Sequence, residues 1–183
     1  MSIFEHELSV SEPISQRLEI AVRQLEFVRR YTCSLLEDLT DDEWYWTPPN
    51  ENGFVTHIAW QCGHIAMAEY GLMLFRQRGR HSVDASLMSG KFRKRFMRGT
   101  EPQADRSLYA TPAEIREVMD KVHQQVLSEV AGFDGDALDE ELEEPHAAFS
   151  TKYGSMLFAS QHEMVHAGQI GMLRRLMGKV PLR

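Results

Sequence analysis

The chain has 183 residues, a length that favours one domain able to bury a hydrophobic core without disulfide or metal cross-links. Its composition, 43% hydrophobic and 26% charged, excludes collagen-like, low-complexity and disordered proteins. A net charge of −7 should repel DNA and anionic membranes, so we expect neither nucleic acid nor a membrane as a partner. We therefore predict a single domain over residues 1–183.

The cysteines and the first residues of the chain indicate the cellular compartment in which the protein resides. Cys33 and Cys62 are the two cysteines of the chain, too few for a disulfide framework and not spaced as a CxxC redox pair. The first seven residues are acidic and lack a signal-peptide pattern, and no run of 18 apolar residues occurs. We expect a cytoplasmic protein.

The first half of the chain predicts two long amphipathic helices. Apolar residues recur every three or four positions over residues 14–39, and the polar stretch 40–43 ends that pattern. After a loop containing Pro48 and Pro49, the same periodicity returns over residues 54–78 and stops at Gly79.

The second half predicts two more helices. Thr111, Pro112 and Glu114 have the spacing of a capping box with proline at the first helical position, so a third helix begins there and ends before Gly132. A fourth helix is predicted over residues 150–177. The acidic stretch 134–144 between them is predicted as a polar loop.

Four amphipathic helices without convincing strands predict an all-α protein, a four-helix bundle. The connection over residues 79–111 is far too long for a hairpin loop, although residues 86–97 could form a short helix within it. We expect this long crossover between helices 2 and 3 to produce an up-down-down-up order.

The fourth predicted helix contains a motif suited to metal binding. In the sequence His-Glu-Met-Val-His, His162 and His166 are four residues apart and share one helix face, so both imidazoles can reach one ion. The string matches HExxH, in which the intervening glutamate acts as a general base. However, residues 167–183 contain no histidine, cysteine or carboxylate, so a third ligand must come from earlier in the chain.

The second predicted helix offers His57 and His64 as that ligand. Seven residues of helix separate their backbones by roughly 10 Å, too far for both to join one centre. If helices 2 and 4 pack antiparallel with their middles opposed, His64 is level with the pair, whereas His57 lies near a helix end. The residues therefore predict a centre of His64, His162 and His166, with Gln61 and Gln169 as polar neighbours.

Three segments together carry a family resemblance. They are residues 39–44 (Leu-Thr-Asp-Asp-Glu-Trp) with the two prolines that follow, residues 63–66 (Gly-His-Ile-Ala), and residues 162–170 (His-Glu-Met-Val-His-Ala-Gly-Gln-Ile). In these the chain resembles the DinB-like metal-binding superfamily over nearly its full length. The resemblance implies an up-down-down-up bundle, commonly a homodimer, with one divalent metal ion, zinc or nickel, held by His64, His162 and His166.

The resemblance also implies an activity. The family includes thiol-dependent S-transferases and a mycothiol-dependent isomerase, so we expect a metal-dependent enzyme that joins a low-molecular-weight thiol to a small electrophilic substrate. A metal-dependent hydrolase is the alternative enzyme. A non-catalytic, dimeric metal-binding or stress-associated protein is the alternative from a different class. No catalytic residue is predicted.

Several other residues have two interpretations. His57 and Glu163 could hydrogen-bond the ligands or carry protons, or they could be a partly exposed residue at the helix start and a solvated or interface residue. Glu69 and Tyr70 could line the edge of a pocket or lie on an ordinary surface.

Residues 91–98, which we call the basic segment, place five cations and two aromatic rings within eight positions. Such a segment could contact phosphates, or it could pair with the acidic stretch 134–144 within one chain or across a dimer.

Overall fold

The protein is described by a computed structural model covering residues 16–49, 51–53 and 55–182. Most of these residues are helical, and the long helices are α1 (Gln16–Ser34), α2 (Ile58–Glu69), α6 (Pro112–Val130) and α7 (Lys152–Leu176). The all-α prediction is therefore right for the main elements. The predicted first turn of helix 1 and the predicted start of helix 2 at Phe54 lie outside the described residues.

Helix α2 continues beyond Glu69 in a different winding. Residues Tyr70–Phe75 form a π-helical segment, and the short helix α3 (Arg76–Arg78) follows before Gly79, which has a φ of 74° and ends the rod. At the other end, the ring of His57 caps α2 by accepting a hydrogen bond from the backbone N–H of Trp60 at 3.1 Å. Within the predicted range 54–78, residues 58–78 thus form one continuous rod in which a π-helical segment lies between two α-helical segments.

The crossover between α2 and α6 contains two short helices instead of the single one predicted. These are α4 (Asp84–Leu87) and α5 (Gly90–Phe96), and α5 packs on α2. A Cβ atom built on Gly63 would lie 2.4 Å from the ring of Phe96, so only glycine allows α5 to approach this closely. This close approach brings the backbone of Phe96 next to His64.

The predicted capping box of the third helix is confirmed. The Thr111 side chain accepts from the backbone N–H of Glu114, the Glu114 carboxylate accepts from the backbone N–H of Thr111, and Pro112 occupies the first turn.

The acidic stretch before α7 differs from the prediction of a polar loop. Strands β1 (Glu141–His146) and β2 (Phe149–Thr151) form a small antiparallel hairpin in which His146 pairs with Phe149. Phe149 is buried beside Phe158 of α7, with ring centroids 5.3 Å apart, which explains why a charged sequence is ordered here. Strand β1 has no alternating pattern of apolar and polar residues that would predict it from the sequence, because almost none of its side chains are buried.

Side-chain contacts show which of the long helices pack against each other. Helix α1 packs on α7, where Arg17 lies 4.2 Å above the Tyr153 ring and Arg174 donates to the Leu35 carbonyl at 2.7 Å. Helix α2 packs on both α6 and α7. Glu69 and Arg78 of the α2–α3 rod contact His123 and Glu129 of α6, while Gln61 and Leu72 contact His166 and Ser155 of α7.

Among the described residues, none of the helices meets the length and hydrophobicity that a membrane span requires.

Candidate metal centre

The structure brings together all three histidines predicted to bind a metal. Each of His64, His162 and His166 offers one ring nitrogen, and these three atoms lie within 4.8 Å of one another. His64 comes from α2 and the other two come from one face of α7, as the spacing of the sequence predicts. Within the described residues, no fourth histidine, cysteine or carboxylate belongs to this cluster.

Hydrogen bonds determine which ring nitrogen of His64 and of His166 faces the centre of the cluster. His64 Nδ1 lies 2.7 Å from the carbonyl oxygen of Phe96, so it carries the proton and donates. His166 Nδ1 lies 2.5 Å from Gln61 Oε1 and donates in the same way. Both rings therefore present an unprotonated Nε2, which is the ligand form of imidazole.

Gln61 is itself held in one orientation. Its Nε2 donates to Thr56 Oγ1 at 2.9 Å, which leaves Oε1 to face His166. Gln61 is buried, so water does not compete for these hydrogen bonds. A chain of Thr56, Gln61 and His166 thus runs from the start of α2 to α7.

The spacing of the His162 and His166 ring nitrogens fits a metal ion. His162 Nε2 and His166 Nε2 are 3.3 Å apart. Two nitrogens bound tetrahedrally to zinc at about 2.0–2.1 Å lie about 3.3–3.4 Å apart. Three neutral imidazoles form a donor set that suits zinc, nickel and related divalent ions, so the residues present fit the group that the family resemblance implies.

Burial keeps the imidazoles neutral. It lowers the pKa of His166 to about 3 and that of His162 to about 4, and the neighbouring histidines add to both shifts. Burial also lowers the pKa of His64, with the Phe96 carbonyl acting in the opposite direction. The rings do not need to lose protons near neutral pH before they bind a cation.

Aromatic rings pack against two of the three histidines. Trp60 stacks on His64 with a centroid distance of 4.8 Å and an interplanar angle of 6°, and Phe158 lies 5.9 Å from His162. His146, in the β1–β2 hairpin, lies 5.2 Å from the Phe158 ring. The hairpin therefore brings a fourth histidine near the centre, outside the cluster of three.

Glu163 has neither of the roles expected from the sequence. Its carboxylate is buried and accepts hydrogen bonds from Arg29 at 2.9 and 3.0 Å, away from the three imidazoles. Arg29 also donates to Glu69 at 2.6 Å, and Glu69 contacts His123 Nδ1 at 2.7 Å. The expectation of a solvated Glu163 is wrong because α1 places a guanidinium inside the helix cluster.

The other predicted residues also have different environments. His57 is buried beside the rings of Tyr45 and Tyr109 and caps α2, so it is not a partly exposed residue and does not contact the ligands. Glu69 belongs to the Arg29 ion pairs. The Tyr70 hydroxyl donates to Asp84 at 2.8 Å, so neither Glu69 nor Tyr70 lies at the edge of the metal centre.

Sequence reasoning missed Arg29, His123 and the carbonyl of Phe96. Arg29 and His123 both occupy positions on otherwise apolar helix stripes, and a charged residue on a buried stripe is a detectable signal of a paired interior charge. A backbone carbonyl carries no such signal.

Comparisons with known proteins agree with the resemblance. A family profile described as the DinB superfamily matches residues 24–170. One solved structure with a similar fold is that of a conserved protein from Enterococcus faecalis, with a TM-score of 0.60 and 17% sequence identity, covering 88% of this chain and 97% of that chain. No curated protein matches the chain. Because the family match extends over most of the sequence, the protein belongs to the DinB superfamily.

Proposed function

We propose that this protein is a metal-dependent enzyme that transfers a low-molecular-weight thiol to a small electrophilic substrate. It would use one divalent ion, zinc or nickel, held by His64, His162 and His166. The observation that carries the proposal is the converging set of three neutral imidazoles, because three protein ligands leave room for an exogenous ligand, as in catalytic metal sites.

The residues around the three histidines have defined tasks in this proposal. A bound divalent cation would supply Lewis-acid chemistry, lowering the pKa of a thiol or water that reaches it. Phe96 and Gln61 would hold His64 and His166 in the tautomer that binds. Trp60 and Phe158 would limit the access of water to the reacting groups.

The properties of the chain's own cysteines favour an external thiol. Cys62 is fully buried, and burial raises its pKa. Cys33 is half-buried, and burial raises its pKa as well. A thiol that stays protonated is a poor nucleophile, so neither side chain suits group transfer.

The environment of Glu163 argues against the alternative hydrolase. An HExxH hydrolase uses its glutamate as a general base, but the Glu163 carboxylate is paired with Arg29 within the protein. A hydrolytic reaction at this site would need another base.

The test uses protein loaded with zinc or nickel, with glutathione and cysteine as thiols and 1-chloro-2,4-dinitrobenzene as the electrophile. The thiol sulfur forms a bond to the ring carbon, chloride leaves, and the thiol proton passes to buffer. We expect thiol consumption above the rate of the His64→Ala variant. Hydrolysis of p-nitrophenyl acetate without thiol consumption would support the hydrolase, and no activity with a filled site would support the non-catalytic alternative; either result contradicts our proposal.

We also propose the up-down-down-up bundle and the single domain for this chain. Arg17 meets Tyr153 near the starts of α1 and α7, and Arg174 meets Leu35 near their ends, which supports a parallel pair. In the same way, Glu69 with His123 and Arg78 with Glu129 support parallel α2 and α6. Gln61 with His166 and Leu72 with Ser155 support antiparallel α2 and α7.

The proposed homodimer has a matching surface. Helices α1 and α7 share an exposed apolar face that includes Phe27, Met164 and Met172, and a second copy of the chain would remove this face from water. Light scattering on the purified protein tests this, and a monomer mass would contradict it.

Both cysteines are free thiols, which supports the proposed cytoplasmic location.

A further inference from the structure

A cavity of about 410 Å³ lies between the crossover and α6, apart from the metal centre. None of His64, His162 and His166 lines it. Its volume is within the range of pockets that bind small molecules.

The floor of this crossover cavity is apolar. Leu87, Met88, Phe92 and Phe96 are buried residues that line it, and the half-buried Tyr109 and Val118 extend the apolar lining toward its mouth. Such a surface suits the hydrocarbon or aromatic part of a ligand.

The mouth of the cavity is charged, and its acidic groups already have partners. Glu114 accepts from the backbone and hydroxyl of Thr111, and Glu117 pairs with Lys121 at 2.7 Å. The remaining charged groups of the lining are the cations Lys91 and Arg95. Over the part of the chain that the structure describes, neither forms an ion pair within 4.0 Å, although Lys91 lies near enough to Glu114, and Arg95 near enough to Asp105, to act on that carboxylate electrostatically. Arg95 also lies 5.4 Å from the centroid of the Tyr109 ring.

We propose that the crossover cavity binds a small anionic amphiphile, a molecule with an apolar body and one carboxylate, sulfonate or phosphate group. The apolar body lies on the Phe92 and Phe96 floor, and the anionic group lies between Lys91 and Arg95. This assigns a ligand to the basic segment, and the assignment does not depend on the metal centre. The cavity is too small for a nucleic-acid strand, and the net charge of −7 opposes a long polyanion.

The acidic stretch 134–144 leaves these cations available. Within that stretch, Asp139 pairs with Arg17 and Glu140 pairs with Lys152, both distant in sequence from the basic segment. For these two acids, contacts with α1 and α7 therefore take the place of the alternative pairing with the basic segment.

The experiment titrates the full chain with the fluorescent probe 1-anilinonaphthalene-8-sulfonate, which has an aromatic body and one anionic group. We expect one saturable site per chain and displacement by decanoate. Lys91→Glu and Arg95→Glu should each raise the dissociation constant for the sulfonate probe about tenfold or more, because each removes a charge-assisted contact. Lys94→Glu is the matched control: Lys94 is exposed on the same helix, does not line the cavity, and undergoes the same change of charge.

Two further arms identify the binding mode. The uncharged analogue N-phenyl-1-naphthylamine should bind about tenfold more weakly than the sulfonate and respond equally to all three variants. Met164→Gln, in the apolar groove between α1 and α7, should leave the sulfonate affinity unchanged. The proposal is overturned if Lys91→Glu and Arg95→Glu bind the sulfonate as tightly as Lys94→Glu, if the neutral probe binds equally well, or if Met164→Gln abolishes binding.

Discussion

The side chain of Gln61 shows how one residue prepares the metal centre. Its amide oxygen fixes the His166 tautomer while its amide nitrogen is held by Thr56. Residues that orient metal ligands in this way typically contribute 10–100-fold to metal affinity. The candidate centre therefore depends on residues that would not touch a bound metal themselves.

Replacing this amide should weaken metal binding without unfolding the protein. We expect Gln61→Ala to raise the dissociation constant for Zn²⁺ by about 10–100-fold, measured by competition with a chelator. Gln124→Ala, at an exposed position of α6, serves as the control and should bind as the unmodified chain does. Equal affinities for the two variants would contradict the role assigned to Gln61.

His57 makes a separate contribution to stability that depends on pH. Burial lowers its pKa to about 4, whereas the unfolded chain titrates near 6.5. Between these pH values the unfolded state binds a proton that the folded state does not. The contribution of neutral His57 to the free energy of unfolding is therefore fully present above about pH 6.5 and is lost as the pH falls toward 4.

The size of this effect can be measured on metal-free protein. From pH 7 to pH 5, His57 alone should reduce the free energy of unfolding by about 2 kcal/mol. His57→Asn keeps a capping acceptor but does not titrate, so its loss over this interval should be smaller by that amount in urea denaturation. If both proteins lose the same free energy, the buried neutral state of His57 is refuted.

At the scale of elements, the close contact of α5 with α2 positions His64, one of the three candidate ligands. Gly63 lets the Phe96 ring lie against the α2 backbone, and the next residue, His64, then reaches the Phe96 carbonyl. The contact thus serves both packing and the metal centre.

An added methyl group at Gly63 should disturb both the packing of α5 on α2 and the candidate metal centre. Gly63→Ala should destabilise the protein by about 1–3 kcal/mol through overpacking, and it should also weaken metal binding. Gly71→Ala is the comparison, since a Cβ there meets no atom within 4 Å, and it should not be destabilising. Thermal unfolding of both variants with and without Zn²⁺ measures this, and an unaffected Gly63→Ala protein would be the contrary result.

The helices and the pair His162 and His166 could be predicted from the sequence because each rests on local spacing, whereas the choice of His64 also required the assumption that helices 2 and 4 pack antiparallel. Apolar periodicity marks the long helices, Thr111 and Glu114 mark the start of α6, and the four-residue interval marks His162 and His166. By contrast, the β1–β2 hairpin depends on burial of Phe149 against Phe158, and the tautomer of His64 depends on a carbonyl from another helix. Neither contact has a local signature, so the sequence alone could not predict them.

At the scale of the whole molecule, the ion pairs of Arg29 connect all four long helices. Arg29 of α1 contacts Glu69 of α2, Glu163 of α7 and the Met119 carbonyl of α6, and Glu69 contacts His123. Opposite charges raise the pKa of Arg29 and, together with His123, lower that of Glu69 despite their burial. Removing one partner leaves buried charge without compensation.

Arg29→Met should therefore cost about 3–5 kcal/mol in the free energy of unfolding near neutral pH. Arg30→Met, at the next and exposed position, should change stability by less than about 0.5 kcal/mol. Chemical denaturation of the two variants gives the comparison, and similar stabilities would show that the ion pairs do not hold the helices together.

The most direct test of the account is the metal content of the purified protein after saturation with Zn²⁺ and removal of the excess. Elemental analysis should give one ion per chain, and His64→Ala, His162→Ala and His166→Ala should each lose it, while His57→Asn should keep it. A wild-type chain that holds no metal, or a variant lacking all three imidazoles that still holds one, would contradict the assignment of the centre.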